Sequence, residues 1–255
     1  MAETSGNKSF WEHLDELRGS LIRILVVTFV FAMIAFCFKE WLFAVVLAPA
    51  DASFFMYRWL GGGMTSLHLM NTGLTEQFVI HLKTAFAFGI LLASPYIIKV
   101  LFDFISPALY EPERRISVRL TASAYVMFLS GVTLNYFIIF PLTVRFLGNY
   151  QVSTQVDNML TLQSYTGTLL MMSIVFGIIF EIPVICWLLG RAGLLSAGYM
   201  KRYRRHAVVA ILIIAAIITP TGDAFTLIIV SLPIWLLYEL SVVVVRRTEL
   251  NRVTV

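Results

Sequence analysis

Charge is what this chain has least of. Lys, Arg, Asp and Glu together supply 13% of its 255 residues, against 59% apolar ones, and mean hydropathy is +0.84. A soluble domain carries about twice that share of charge. A soluble globular fold is therefore excluded, and the apolar residues are gathered into blocks of the length that helical membrane spans require. Cysteine is nearly absent. Cys37 and Cys186 both lie inside apolar blocks, which favours two small packing residues over a disulfide, a metal pair or a nucleophile. Histidine is scarce too: His13, His68 and His206 fall outside the blocks, His81 near an edge, and Asp103 and Asp223 at block ends. An intramembrane hydrolase needs a Ser–His pair, an aspartate pair or an HExxH site within the spans, and none is present. Also missing is a basic-then-apolar leader. The opening MAETSGNKSFWEHLDELRGS is polar and acidic, so no cleavable signal peptide is expected.

What is there is a set of six hydrophobic blocks: Leu21–Phe38, Phe78–Leu101 (interrupted by Lys83 and Pro95), Leu120–Phe140, Leu169–Leu189, Ala207–Thr219 and Phe225–Val245. The pattern predicts an all-α integral membrane protein, one six-helix domain over residues 1–255. Block five makes a helix of only about 20 Å against a bilayer core of about 30 Å, so a shallow hairpin of short helices five and six is expected, turning at TPTGD. Basic residues set the orientation. Fifteen lie at the N-terminus, in the second and fourth connections and after block six; only Lys39, Arg58 and Arg145 lie on the other side. Both termini are thus expected in the cytoplasm, with a tail over 246–255. The long outer connections are expected over about Lys39–Gln77 and Pro141–Thr168.

The acids are placed unusually. Glu181 stands within the run LLMMSIVFGIIFEIPVICWLL, where a charge facing lipid costs about 2.5 kcal/mol or more. Either it is buried against protein, or it lines water, or it is protonated. Pro183, two residues on, removes an amide and frees the carbonyl of Ile179. Ser9 and Glu12 form a capping box, and Phe10, Leu14, Leu17 and Leu21 follow at helical spacing. An amphipathic helix over residues 1–20, lying on the membrane surface before block one, is expected. Glu113 falls in the first turn of the helix that leads into block three, where the helix dipole favours an acid, and Asp223 stands where an N-cap of block six belongs.

Four segments in order carry a resemblance: HLDELR (His13–Arg18), FISPALYEPERR (Phe104–Arg115), FGIIFEIP (Phe176–Pro183) and ITPTGDAF (Ile218–Phe225). They resemble the signature segments of TatC, the large membrane component of the twin-arginine protein translocase, and the likeness runs from Phe10 to about Arg247. The turn TPTGD is one residue longer than the TPPD of better-known members. The resemblance implies a concave six-helix bundle in the bacterial cytoplasmic (inner) membrane, a receptor rather than an enzyme, with no catalytic residue, metal, cofactor or nucleic acid. Implied partners are twin-arginine signal peptides of folded cargo, single-span proteins of the TatA/TatB type, the lipid bilayer and further copies in a receptor complex, with transport driven by the proton-motive force. It assigns signal-peptide binding to Glu16, Arg18, Phe104 and Glu113, and partner-helix docking to Glu181, Thr219, Pro220 and Asp223. The alternative is a proton- or ion-coupled secondary transporter, with Glu181 and Lys83 as its coupling pair and broken helices in both halves.

Overall fold

The computed structural model describes residues 10–59, 68–105, 114–150, 159–219 and 223–253. Eleven helices occur among them: α1 (Phe10–Cys37), α2 (Lys39–Leu47), α3 (Phe55–Trp59), α4 (Glu76–Ile105), α5 (Arg114–Leu134), α6 (Phe140–Asn149), α7 (Leu162–Ile179), α8 (Ile182–Ala192), α9 (Ala197–Arg202), α10 (Arg204–Ile218) and α11 (Ala224–Val253). Two short strands, β1 (Leu69–Met70) and β2 (Leu160–Thr161), pair in parallel with Leu69 opposite Leu160. They join the two connections at one end of the bundle.

Lipid offers helices no hydrophobic incentive to associate, so close packing rests on small residues. On α4, a Cβ at Gly89 would stand 2.8 Å from the Cβ of Ala32 on α1. On α5, a Cβ at Gly131 would stand 2.5 Å from the carbonyl oxygen of Phe176 on α7. Gly190 on α8 faces Val245 on α11 in the same way, at 3.2 Å. Around these crossings the core gathers Ile139, Phe140, Met172, Phe176, Val230 and Ile234.

Six stretches are long and apolar enough to cross a bilayer: Leu14–Cys37, Lys39–Trp59, Glu76–Phe104, Leu120–Asn149, Leu162–Ala192 and Ala224–Leu250. Five coincide with blocks one to four and six. The other, Lys39–Trp59, is a broken segment: α2 ends in a 3₁₀ turn at Ala48–Ala50, and Asp51 turns the chain by accepting from the Ser53 amide at 2.9 Å. Pro49 has no N–H for the Val45 carbonyl four residues back. The Tyr136 hydroxyl fills that place at 2.7 Å, and Tyr165 donates to the Val46 carbonyl at 3.2 Å. Block five is short as expected, since α10 has 15 residues, about 22 Å.

Three expectations are corrected. Helix six is not short: α11 runs 30 residues, through Pro233 and through the expected tail to Val253, because RRTELNR after Val245 holds strong helix formers and no glycine or proline. The N-terminal helix is not a separate surface element. It continues into block one as α1, 28 residues long, because Gly19 alone costs a helix only about 1 kcal/mol relative to alanine. The second outer connection is shorter than Pro141–Thr168. A π turn at Asn135–Ile139 hands α5 on to α6, with the Phe140 amide donating to the Asn135 carbonyl. Pro141 then sits in the first turn of α6, where its missing N–H is tolerated.

Candidate functional site

α1 and α4 pack antiparallel and fix the register of the first site. Glu16 lies sixteen residues before Ala32, and Phe104 fifteen residues beyond Gly89. At 1.5 Å per residue these are rises of about 24 and 22 Å from one crossing point. Glu16 and Phe104 therefore stand at nearly equal height at the same end of the bundle, both half-buried, with Arg18 exposed one half-turn along α1. Glu113 lies outside the described residues, one position before α5 begins.

Glu181 is set by a helix break. α7 stops at Ile179 and α8 starts at Ile182, with Phe180 and Glu181 between them at φ −68°, ψ −11° and φ −75°, ψ −14°. The cause is the one legible in sequence: Pro183 cannot donate to the Ile179 carbonyl. The Glu181 backbone is well bonded, its amide to the Ile178 carbonyl and its carbonyl to the Val184 and Ile185 amides, each at 3.0 Å. Its side chain is not. Among the described residues both carboxylate oxygens are buried with no hydrogen-bond partner, and the side chain caps nothing. Lys83 is exposed on α4 and forms no ion pair with it among the described residues. The coupling pair that a carrier needs is thus unmade. Pro95 and Pro233 lie inside continuous helices, so neither marks the broken helix that a carrier reading expects there.

At the turn after α10, Thr219 is buried and donates its hydroxyl to the Ala215 carbonyl at 3.0 Å. Asp223 accepts from the Thr226 amide at 2.7 Å, so it caps α11 as its position predicts. Pro220 lies outside the described residues. On the fourth connection, Arg191 sits over the Trp187 ring at 5.4 Å. Glu249 accepts from the Ala197 amide at 2.9 Å, and Arg204 pairs with Glu239. The basic connection is thus tied to α11.

Two features escaped sequence reasoning. Glu76 accepts from the Thr72 amide (2.9 Å), the Thr72 hydroxyl (3.1 Å) and the Gly73 amide (2.8 Å) with one oxygen, and from the Gln163 amide (3.2 Å) with the other. One carboxylate therefore clamps the start of α4 to the start of α7, beside the β1–β2 pair. In sequence it reads only as an acid in a first helical turn. Asn135, fully buried at the π turn, donates to the Ser173 hydroxyl at 2.9 Å and joins α5 to α7. An asparagine ending a polar–apolar helix carries no such signal by itself.

The pattern of the family described as Sec-independent protein translocase protein (TatC) matches residues 12–233. A Sec-independent protein translocase protein TatC of Desulforapulum autotrophicum is 33% identical over 243 residues, covering 95% of this chain and 86% of that protein. Another, from Koribacter versatilis, is 35% identical over 238 residues, covering 92% and 83%. Among solved structures, a crystal structure of the twin-arginine translocase receptor TatC superposes with a TM-score of 0.78 at 30% identity, covering 93% of this chain and 99% of that one.

Proposed function

Since the chain belongs to the TatC family of Sec-independent protein translocase proteins, we propose that it is the signal-peptide receptor of a twin-arginine translocase. In this reading residues 1–255 form a single six-helix domain of the bacterial cytoplasmic membrane, with both termini inside. Glu16 and Glu113 each take one guanidinium of the leader's arginine pair, Phe104 packs on a neighbouring apolar residue, and Arg18 borders the site. The observation that carries it is the α1–α4 register, which supports Glu16 and Phe104 sharing one end of the bundle, where the chain that holds Glu113 leaves α4 for α5.

The chemistry selects arginine. A guanidinium is a planar fork that a carboxylate engages through two parallel hydrogen bonds, whereas an ammonium is a point charge with no preferred plane. Two acids from separate segments fix the spacing of two forks. The surrounding basic residues repel cations held by charge alone and leave geometry to decide.

Glu181 is the docking point for a transmembrane helix of a TatA/TatB-type single-span protein. A carboxyl group with no hydrogen-bond partner among the described residues, on a proline-broken helix, accepts a hydrogen bond from, or donates one to, a polar side chain of a second helix. In this reading Thr219, Pro220 and Asp223, which follow the short α10 in sequence, contribute to the same docking role. Cargo crosses folded, driven by the proton-motive force, in a complex with further copies of this chain.

The test is crosslinking of a twin-arginine signal peptide to the membrane-inserted protein. Glu113→Ala and Glu16→Ala each weaken it with insertion unchanged. The double variant loses less than the two effects combined, because one ligand bridges both acids. Unchanged crosslinking in both single variants removes the site.

A further inference from the structure

At the end of the bundle away from the N-terminus of α1, a cavity of about 500 Å³ opens where the α1–α2 junction meets the starts of α4 and α7. Its lining divides in two. Lys39, Gln77 and His81 supply nitrogen donors, and Phe43, Leu74, Phe78 and Leu162 supply apolar wall. His81 is the unusual member. It is 8% exposed, its ring is stacked on Phe36 at 4.1 Å and 11° and tilted against Phe43 at 5.7 Å, and its Nε2 is buried with no hydrogen-bond partner among the described residues. A buried ring nitrogen left unpaired marks a place where a further group belongs.

The charges around the cavity define that group. Lys39 is exposed and makes no ion pair among the described residues. The nearby carboxylate of Glu76 is saturated, with both oxygens accepting from Thr72, Gly73 and Gln163. A cation, an amide and an imidazole thus line one cavity whose described lining contains no anion to meet them. The surroundings define where the group comes from. Phe38, Trp41 and Phe78 are each 62% exposed at this level, the aromatic girdle found where a bilayer meets water. An anion reaching this place with an apolar body to lie against Phe43, Leu74 and Phe78 is a lipid.

We propose that this cavity holds the headgroup of an anionic glycerophospholipid. A phosphoryl oxygen accepts from the Lys39 ammonium, the Gln77 amide and the Nε2–H tautomer of His81, and the glycerol and first acyl carbons run along the apolar wall. With both termini in the cytoplasm, the lipid belongs to the outer leaflet. The bound lipid fills the gap between α2, α4 and α7, next to the Glu76 clamp, and so fastens the outer connections to the membrane.

The test uses the full chain reconstituted into vesicles of equal parts phosphatidylglycerol and phosphatidylcholine, extracted into mild detergent, with retained lipids counted by native mass spectrometry. Wild type retains phosphatidylglycerol in preference to phosphatidylcholine. Lys39→Gln lowers that retention about fivefold, the worth of one cation beside an anionic lipid. His81→Phe, which keeps the ring stack on Phe36, lowers it as well. Lys201→Gln, on α9 at the opposite end, leaves it unchanged. Three results overturn the proposal: equal retention of the two lipids by wild type, full retention by Lys39→Gln, or complete displacement of the lipid by millimolar inorganic phosphate. If His81→Phe fails to fold, Lys39→Gln decides alone, since an exposed lysine at a helix start carries no packing.

Discussion

Replacing Glu181 by methionine is expected to make the isolated protein more stable while weakening its assembly. Both oxygens of this carboxyl group are buried without a partner among the described residues, and the side chain caps no helix there, so the substitution breaks no bond among them. A buried polar group left unpaired costs about 1–3 kcal/mol. Methionine is unbranched, of similar length, and adapts to irregular space. The gain is therefore about 1–3 kcal/mol, and in a chain of this size each kcal/mol raises Tm by about 2–4 °C. Thermal unfolding of the purified protein in mild detergent, followed by tryptophan fluorescence, reads the shift. Co-purification of a tagged single-span partner reads the loss. Glu181→Gln keeps a hydrogen-bonding group and retains more of the partner than Glu181→Met. A lower Tm for Glu181→Met would refute the reasoning, because it would mean that the carboxyl group bonds within its own chain and is not reserved for another.

Gly131→Ala is expected to cost about 1–3 kcal/mol, because the new methyl meets the Phe176 carbonyl oxygen, a backbone atom of a packed helix, at 2.5 Å. Gly177→Ala costs less, since the atoms it meets are the far edge of the Phe128 ring; thermal unfolding of the two variants side by side gives the order. Glu76→Gln turns one acceptor oxygen into a donor facing backbone N–H groups and uncouples the α4 start from the α7 start. Hydrogen exchange is expected to rise at Thr72, Gly73 and Gln163 and to stay unchanged along α1. Protection retained at all three amides would show that the clamp is dispensable.

Much of this architecture is written in hydropathy. Blocks two and six each lie within one helix, block one forms α1 up to Cys37, and blocks three and four are helical on either side of the π turn and of the Phe180–Glu181 break, since an apolar run in lipid must satisfy its backbone internally and the α-helix does so. The break at Phe180–Glu181 was legible in Pro183, and the cap of α11 in Asp223, because both are local rules of the backbone. Helix ends were not legible. α11 outran its apolar block because nothing after Val245 stops a helix, and α6 extended block three because a π turn absorbed Pro141, a shift of register that no residue pattern announces. The Glu76 clamp joins residues 87 apart, and the Gly131 crossing depends on which helix arrives opposite; both are facts of tertiary packing. Of the site, Glu16 and Phe104 were suggested by motif and brought to one height by the α1–α4 crossing. Glu181 was suspect from its setting alone, though its lack of any partner within the described chain needed the packed bundle to be seen.

The most direct test measures binding of two leader peptides to the purified protein in nanodiscs, identical except for Arg-Arg against Lys-Lys. Two carboxylates gripping two planar forks predict Arg-Arg binding tighter by about tenfold or more, since each charge-assisted hydrogen bond is worth about 1.5–3 kcal/mol, and predict that Glu16→Ala with Glu113→Ala narrows the gap. Equal affinity for the two peptides would contradict the account.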